Sequence, residues 1–111
     1  MLRKTLECRK IELYCDFHGH SRQKDVFMYG CTGPSPITGE KRLKEQVFPK
    51  MFDRICPNFS FNGSSFAVHK SKEATGRVVM WKEFQLVNSY TCEASFCGAS
   101  QGIYGGFHFN I

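Results

Sequence analysis

The sequence lacks the features of several large protein classes. No two of its six cysteines have the Cys-x-x-Cys spacing, which argues against a four-cysteine zinc module. The N-terminal Met1–Lys4 is charged, and no apolar segment of a secretory signal follows it. No apolar run is long enough to span a membrane. We therefore predict a cytoplasmic chain with free thiols and no membrane partner.

A continuous basic tract is also missing, although the formal net charge is +5. The basic residues form short clusters such as Lys41-Arg42 and Lys70-Ser71-Lys72. A positive net charge favours acidic partners in general. Because the basic residues are scattered, we predict that nucleic acid is not the partner.

The length and composition suit one small packed domain. The chain has 111 residues, of which 41% are hydrophobic and 11 are phenylalanine. This composition indicates a core rather than disorder. The length allows at most one domain, and no internal repeat is present.

Two segments alternate between apolar and polar residues, as half-buried strands do. In the strand predicted at about 11–18, Leu13, Cys15 and Phe17 share the apolar face. The polar face of the first segment carries Tyr14, Asp16, His18 and His20. The second segment spans 89–96 and has Tyr90, Cys92, Ala94 and Phe96 on one face and Ser89, Thr91, Glu93 and Ser95 on the other.

The remaining elements follow from local signals. Leu43, Val47, Met51 and Ile55 recur at helical spacing, and Pro49 predicts a kink or a new helix start near Phe48. This helix is predicted at 40–55. The other predicted regular elements are the last turns of a helix within 1–10, a strand at 26–30, a strand-like segment at 59–68 that is broken at Asn62-Gly63, and a short helix or strand at 77–84 with Trp81 in the core. Loops are predicted at 32–39 and at the glycine-rich 98–106.

An imidazole and a carboxylate on two such strands have a chemical use. His18 could supply a metal ligand, and Glu93 could supply a general base. The alternative for His18 and His20 is a pair of solvated loop histidines.

Five segments, taken together and in order, resemble one family. They are Tyr14 to Ser21 (YCDFHGHS), Val26 to Cys31 (VFMYGC), Val47 to Met51 (VFPKM), Ser71 to Val79 (SKEATGRVV) and Asn88 to Phe96 (NSYTCEASF). The chain from about residue 11 onward resembles the zinc metallocarboxypeptidases, specifically the cytosolic carboxypeptidase branch. The resemblance implies an α/β fold with a mixed central β-sheet and flanking helices, and residues 1–111 would be the C-terminal portion of a single catalytic domain.

The resemblance also implies roles for individual residues. His18 looks like the third zinc ligand, and Glu93 looks like the catalytic carboxylate. In that chemistry Zn²⁺ polarises the scissile carbonyl and acidifies a water, whose proton the glutamate passes to the leaving amine. Asp16 would orient an imidazole or act as a plain hydrogen-bond acceptor.

The branch is similar to enzymes that remove glutamates from protein C-termini and from polyglutamate side chains, such as those on tubulin. A fixed guanidinium binds a carboxylate well, and Arg77 lies in the stretch that would face the cleaved side chain. A solvated or salt-bridged surface arginine is the alternative. Lys72 is a weaker substrate-binding candidate, and His20 would line the cleft rather than bind the metal.

The chain departs from the family pattern in one respect. The family takes its other two zinc ligands from an upstream His-x-x-Glu motif, and none of the four histidines here has Glu at the third following position. We therefore expect a truncated catalytic domain that alone binds zinc poorly and is inactive. An exposed sheet edge would favour association.

Two other hypotheses compete with the enzyme hypothesis. A non-catalytic relative could keep a basic cleft that binds glutamate-rich tails without turnover. A cysteine hydrolase using Cys92 or Cys97 is disfavoured, because Cys92 lies on the apolar face and neither thiol has a local basic neighbour.

Overall fold

The fold is a small mixed sheet with a helix on each face. The computed structural model describes residues 4, 8–33 and 43–109. The elements are β1 (Tyr14–His20), β2 (Val26–Tyr29), α1 (Val47–Ile55), α2 (Gly76–Glu83) and β3 (Ser89–Ser95), with short 3₁₀ segments at Leu43–Gln46, Lys70–Lys72 and Gly102–Tyr104. The predicted α/β class with flanking helices is confirmed.

β3 is the central strand of the described sheet, whose order is β1-β3-β2. β1 runs parallel to β3, with Tyr14 opposite Ser89 and His20 opposite Ser95. β2 runs antiparallel to β3. The parallel pairing requires a crossover, which the segment containing both helices provides.

The main core lies on the sheet face that carries the even-numbered residues of β3. Its buried members are Met28, Phe59, Tyr90 and Cys92. α1 covers this face, because Phe48 stacks on Tyr90 with ring centroids 5.6 Å apart and Phe52 packs edge-on against Phe59 at 5.1 Å. Close packing of several aromatic rings stabilises this core.

Pro49 explains where α1 begins. The 3₁₀ turn ends at Gln46, and the α-helix starts at Val47, so Pro49 occupies the first α-helical turn. The first backbone N–H groups of a helix have no intrahelical acceptor, and a proline there loses nothing. The predicted new start near Phe48 is therefore what the structure shows.

α2 lies against the opposite sheet face. Ser89 Oγ donates a hydrogen bond of 2.7 Å to the carbonyl oxygen of Arg77. A Cβ atom on Gly76 would overlap the hydroxyl group of Tyr14, so a larger residue there would require the Tyr14 side chain or the helix to shift. The ambiguous segment 77–84 is thus a helix, and its position fixes Arg77 beside the polar face of the sheet.

Segment 59–68 is not a strand, contrary to the prediction. It forms no ladder with β2 and is paired with it by two isolated bridges, Val26 with Phe59 and Tyr29 with Ser65. Between them Gly63 N donates to Ser60 Oγ, and Met28 N donates to Ser64 Oγ, each at 3.0 Å. Serine hydroxyls take part in bonds that a regular ladder would otherwise make.

Smaller differences concern boundaries and exposure. β1 begins at Tyr14 rather than at Ile11, and Phe17 on its predicted apolar face is 79% exposed. Trp81 is half-buried rather than a core residue. Most of the predicted loop at 32–39, the first residues of the predicted helix at 40–55 and much of 1–10 lie outside the described residues. All six cysteines are free, and among the described helices none is both long and apolar enough to cross a membrane.

Candidate catalytic cleft

His18 and Glu93 are direct neighbours across the parallel pair of strands. They are Cα partners in the register of β1 and β3. Paired residues of parallel strands point to the same side of a sheet, so both side chains leave the face that α2 flanks. The structure therefore brings together the two residues that were predicted from separate segments. Whether they act as ligand and base stays a prediction.

Both side chains line a cavity of about 460 Å³. The cavity lies beside the N-terminus of α2, above the polar face of the sheet. Its walls combine basic, hydroxyl and aromatic groups around one carboxylate: His18, His20, Tyr29, Ser65, Ala67, His69, Lys72, Thr75, Arg77, Thr91 and Glu93. A cleft with this surplus of basic groups suits a ligand that carries carboxylates.

Asp16 lies beside the Nδ1 atom of His18. This Nδ1 lies 3.5 Å from Asp16 Oδ1, and both side chains are partly exposed. A carboxylate beside Nδ1 favours the tautomer with the proton on that nitrogen, which leaves Nε2 as a lone-pair donor. This is the arrangement that a metal-binding imidazole uses.

His20 is held in the opposite sense. Its Nδ1 accepts hydrogen bonds from the backbone N–H groups of Arg22 at 3.2 Å and Gln23 at 3.0 Å. Its ring also packs edge-on against the fully buried Phe27, with centroids 5.1 Å apart. His20 lines the cavity as predicted, but its Nδ1 is committed to the turn after β1.

Arg77 is buried, with only 6% of its surface exposed, and is not a solvated surface residue. Its Nε donates to the carbonyl oxygen of Gly30 at 3.3 Å, and its guanidinium carbon lies 5.5 Å from the centre of the Tyr29 ring. Within 8–33 and 43–109 no carboxylate forms an ion pair with it. A buried guanidinium that lines a cavity without a counter-charge favours an anionic ligand.

Lys72 and His69 stand at the exposed rim of the cavity. Both line it from the polar connection that precedes α2, and both are exposed. Lys72 was predicted as a weaker substrate contact, whereas His69 was missed. The available signal was the basic cluster Lys70-Ser71-Lys72 next to it, which lies just before Arg77 in the chain.

Two of the four tyrosines, Tyr90 and Tyr29, occupy different places, the first in the core and the second at the cleft. Tyr90 is fully buried, and its hydroxyl donates to the carbonyl oxygen of Glu45 at 2.8 Å. Burial, followed by the nearby Glu45 carboxylate, raises the pKa of the Tyr90 phenol strongly. Tyr90 is therefore a core residue. Tyr29, at the end of β2, is the tyrosine of this pair whose ring reaches the cavity.

The cysteines do not form a nucleophilic site. Burial raises the pKa of the Cys92 thiol to about 11, and Cys92 faces the core on the sheet side opposite the cavity. The half-buried Cys97 donates its thiol hydrogen to the carbonyl oxygen of Ser21 at 3.0 Å. A thiolate is the reactive form of cysteine, so a raised pKa makes Cys92 inert at neutral pH.

The described residues alone do not make up a catalytic zinc site. In the described part of the sequence, no group of three or more His, Cys, Asp or Glu side chains is placed to hold a metal. A catalytic zinc needs about three protein ligands and an open position. His18 offers one imidazole, and Glu93 beside it is the predicted base.

Comparison with known proteins gives a consistent set of relatives. No protein-family model matches the chain. It is 50% identical over 111 residues to cytosolic carboxypeptidase 3 of Mus musculus, 49% identical to that of Bos taurus, and 46% identical over 112 residues to cytosolic carboxypeptidase 2 of Homo sapiens. The alignments cover 98–100% of this chain but only 11–12% of those proteins. The chain thus spans about a ninth of the length of these curated relatives.

Proposed function

Because this chain belongs to the cytosolic carboxypeptidase family, of which it spans one segment, we propose that it forms one wall of a zinc carboxypeptidase catalytic centre. The proposed reaction removes glutamates from protein C-termini or from polyglutamate side chains. The proposed location is the cytoplasm, which is the compartment named for the relatives. Alone, the chain is proposed to be inactive, because its described residues hold no complete metal site.

The pairing of His18 with Glu93 carries this proposal. The two side chains share one register position on adjacent parallel strands and open into one cavity. A carboxylate next to a metal-bound group is well placed to take and return a proton, which general base catalysis requires. Such a base contributes roughly 10²–10⁴-fold to a rate.

Zn²⁺ is the proposed cofactor, and His18 is proposed to supply one of its ligands through Nε2. Asp16 next to Nδ1 supports this orientation of the ring. The remaining ligands would come from residues outside the chain. A bound zinc ion would supply Lewis-acid activation of the peptide carbonyl and of a water.

The proposed preference for glutamate rests on the basic side of the cavity. Arg77 is buried there without a carboxylate partner among the described residues, and Lys72 stands at the rim. An arginine in a partly dehydrated pocket binds a carboxylate by charge-assisted hydrogen bonds. Glutamate-rich tails, including tails of the tubulin type, are therefore the proposed partners.

A hybrid protein tests the proposal. In it, the 111 residues replace the aligned segment of cytosolic carboxypeptidase 3 of Mus musculus, and release of free glutamate from a peptide with a polyglutamate C-terminus is measured. We expect the hybrid to release glutamate. In the hybrid, Glu93→Gln is expected to lower the rate by roughly 10²-fold or more, because the base is lost.

The matched control changes an equivalent charge away from the cavity. Glu83 is an exposed glutamate at the end of α2. We expect Glu83→Gln to leave the rate of the hybrid within about twofold, as surface substitutions usually have small effects. Equal rates for the Glu93→Gln and Glu83→Gln hybrids would rule out the proposed role of Glu93.

A non-catalytic binding module for acidic tails is the second candidate. The absence of a complete metal site among the described residues favours it, since the basic cavity could bind a tail without zinc. This candidate predicts a hybrid that binds the polyglutamate peptide but releases no glutamate, under conditions where the unmodified mouse protein does so. Release by the hybrid, sensitive to Glu93→Gln, would exclude it.

A further inference from the structure

Two imidazoles two residues apart on β1 present opposite chemistry to the same cavity. His18 has a carboxylate beside its Nδ1, whereas His20 has two backbone N–H donors directed at its Nδ1. In a neutral imidazole one nitrogen carries the hydrogen and the other carries the lone pair. The partners of Nδ1 therefore decide what each Nε2 can do.

For His20 the hydrogen bonds define the tautomer. Nδ1 accepts from Arg22 N and Gln23 N, so the lone pair is on Nδ1 and the ring hydrogen is on Nε2. Within the described residues no protein acceptor contacts Nε2, although the side chain lines the cavity. The edge-on contact with the fully buried Phe27 limits rotation of the ring.

We propose that His20 is a fixed hydrogen-bond donor that binds a carboxylate oxygen of the acidic ligand through its Nε2–H. This inference rests on the proposed function, because it takes a glutamate-containing ligand as the occupant of the cavity. His20 would bind the carboxylate together with Arg77 and Lys72, which line the same cavity. It would select ligands by position, since its donor atom is held by the backbone turn rather than by a flexible chain.

The same geometry separates His20 from a metal ligand. If Nε2 bound a cation while Nδ1 accepted two N–H groups, the ring would have to lose its single N–H hydrogen and become an imidazolate anion. His18 faces no such conflict, because its Nδ1 can carry the hydrogen toward Asp16. On the polar face of β1, His18 thus offers a lone pair at Nε2, and His20 offers an N–H donor at Nε2.

Two substitutions separate the structural contact from the proposed ligand contact. In His20→Asn, the side-chain oxygen can accept the backbone N–H groups in place of Nδ1, but the distal donor is lost. In His20→Gln, the side-chain amide can reach the position of Nε2 and donate, but the acceptor for the turn is lost. His20→Asn keeps the acceptor and His20→Gln keeps the donor, so each variant is the control for the other.

The experiment uses the 111-residue chain and a tri-glutamate peptide. Binding is measured by calorimetry, and unfolding midpoints are measured for each variant. We expect His20→Asn to weaken binding by about tenfold or more with an almost unchanged midpoint, since a hydrogen bond to a charged group is lost. We expect His20→Gln to bind within about threefold of the parent chain but to unfold earlier.

Nitrogen NMR on the unsubstituted chain gives a measurement that does not depend on any variant folding. The expected signature is hydrogen on Nε2 of His20 and a shift of that resonance when the peptide is added. A ring with hydrogen on Nδ1, or a His20→Asn chain that binds as tightly as the parent, would overturn the proposal.

A parent chain that binds no peptide would also overturn it. That result would not decide the proposed carboxypeptidase function, which the activity of the hybrid protein tests separately. Glutamate release by the hybrid together with unchanged release in its His20→Asn form would place the failure in the role of His20 alone.

Discussion

The two parallel strands that hold His18 and Glu93 have the same length but very different support. In β3 the residues from Ser89 to Cys92 are all buried. β1 is half-buried at its start and exposed over most of its last residues. β3 pairs with a strand on each side, whereas β1 pairs only with β3 in the part of the chain that the structure describes.

The two walls of the candidate cleft therefore differ in how well the surrounding structure supports them. Glu93 is attached to the central strand, and Arg77 to a helix whose carbonyl accepts a hydrogen bond from that strand. In the described sheet His18 lies on an edge strand, next to the exposed Phe17. Strands with free edges and exposed apolar residues are typically completed by further chain or by association.

The largest expected effect contrasts aromatic residues on the same sheet face. Tyr90 is fully buried and Phe17 is 79% exposed. We expect Tyr90→Ala to lower the free energy of unfolding by about 3–5 kcal/mol and Phe17→Ala to change it by less than about 0.5 kcal/mol. Urea unfolding of both variants provides the measurement. Similar losses at the two positions would show that β1 is as well packed as β3.

Should Tyr90→Ala not fold, Tyr90→Phe makes the same comparison with a smaller change. It keeps the ring but removes the hydroxyl that bonds to Glu45 and Asn88. Leaving buried acceptors without a donor costs about 1–3 kcal/mol. A Tyr90→Phe chain as stable as the parent would contradict the structural role given to that hydroxyl.

The next effect concerns the thiol of the central strand at high pH. Burial raises the pKa of Cys92 from 9.0 to about 11. The unfolded chain loses this proton at lower pH than the folded chain, so the stabilisation is complete below pH 9 and is lost as pH rises through about 11. The loss is at most about 3 kcal/mol.

Urea unfolding between pH 8 and pH 11 measures this loss, because the range begins below the ordinary pKa of 9.0 and reaches the folded pKa of about 11. The decline should be smaller in Cys92→Ala and unchanged in Cys8→Ala, because Cys8 is exposed. An identical decline in all three chains would assign the pH dependence to other groups.

The smallest expected effect is that of zinc on the chain alone. A single imidazole on an edge strand gives little affinity, so we expect excess zinc chloride to change the free energy of unfolding by less than about 0.5 kcal/mol. Metal analysis after dialysis should find far less than one zinc per chain. One tightly held zinc, lost in His18→Ala, would show that β1 and its neighbours form a complete site.

The alternation of the two strands predicted the face on which His18 and Glu93 lie. Side chains on a strand alternate with a period of two, and this rule holds wherever the backbone is extended. The same rule did not predict the exposure of Phe17, because burial depends on what packs against a face and not on the face itself. A pattern in one strand carries no information about a missing neighbour.

Segment 59–68 shows a different limit. Its phenylalanines suit a strand, but Ser60, Ser64 and the Asn62-Gly63 turn redirect the local hydrogen bonds. Hydroxyl groups that bond to the backbone nearby compete with a regular ladder, and sequence propensity does not reveal which will win. His69 was missed for a related reason, since its place at the cavity depends on how this irregular segment returns to α2.

Gly76 lets α2 lie close to β1 because it has no side chain. Any larger residue there would have to displace either the Tyr14 ring or the first turn of the helix. Arg77 is the next residue, so a displaced turn would carry its guanidinium outward while His18 stayed on its own strand. If the turn rather than the ring were displaced, a single methyl group at position 76 would lengthen the distance between Arg77 and His18, and the proposed acidic ligand would have to span a wider cleft whose charges are unchanged.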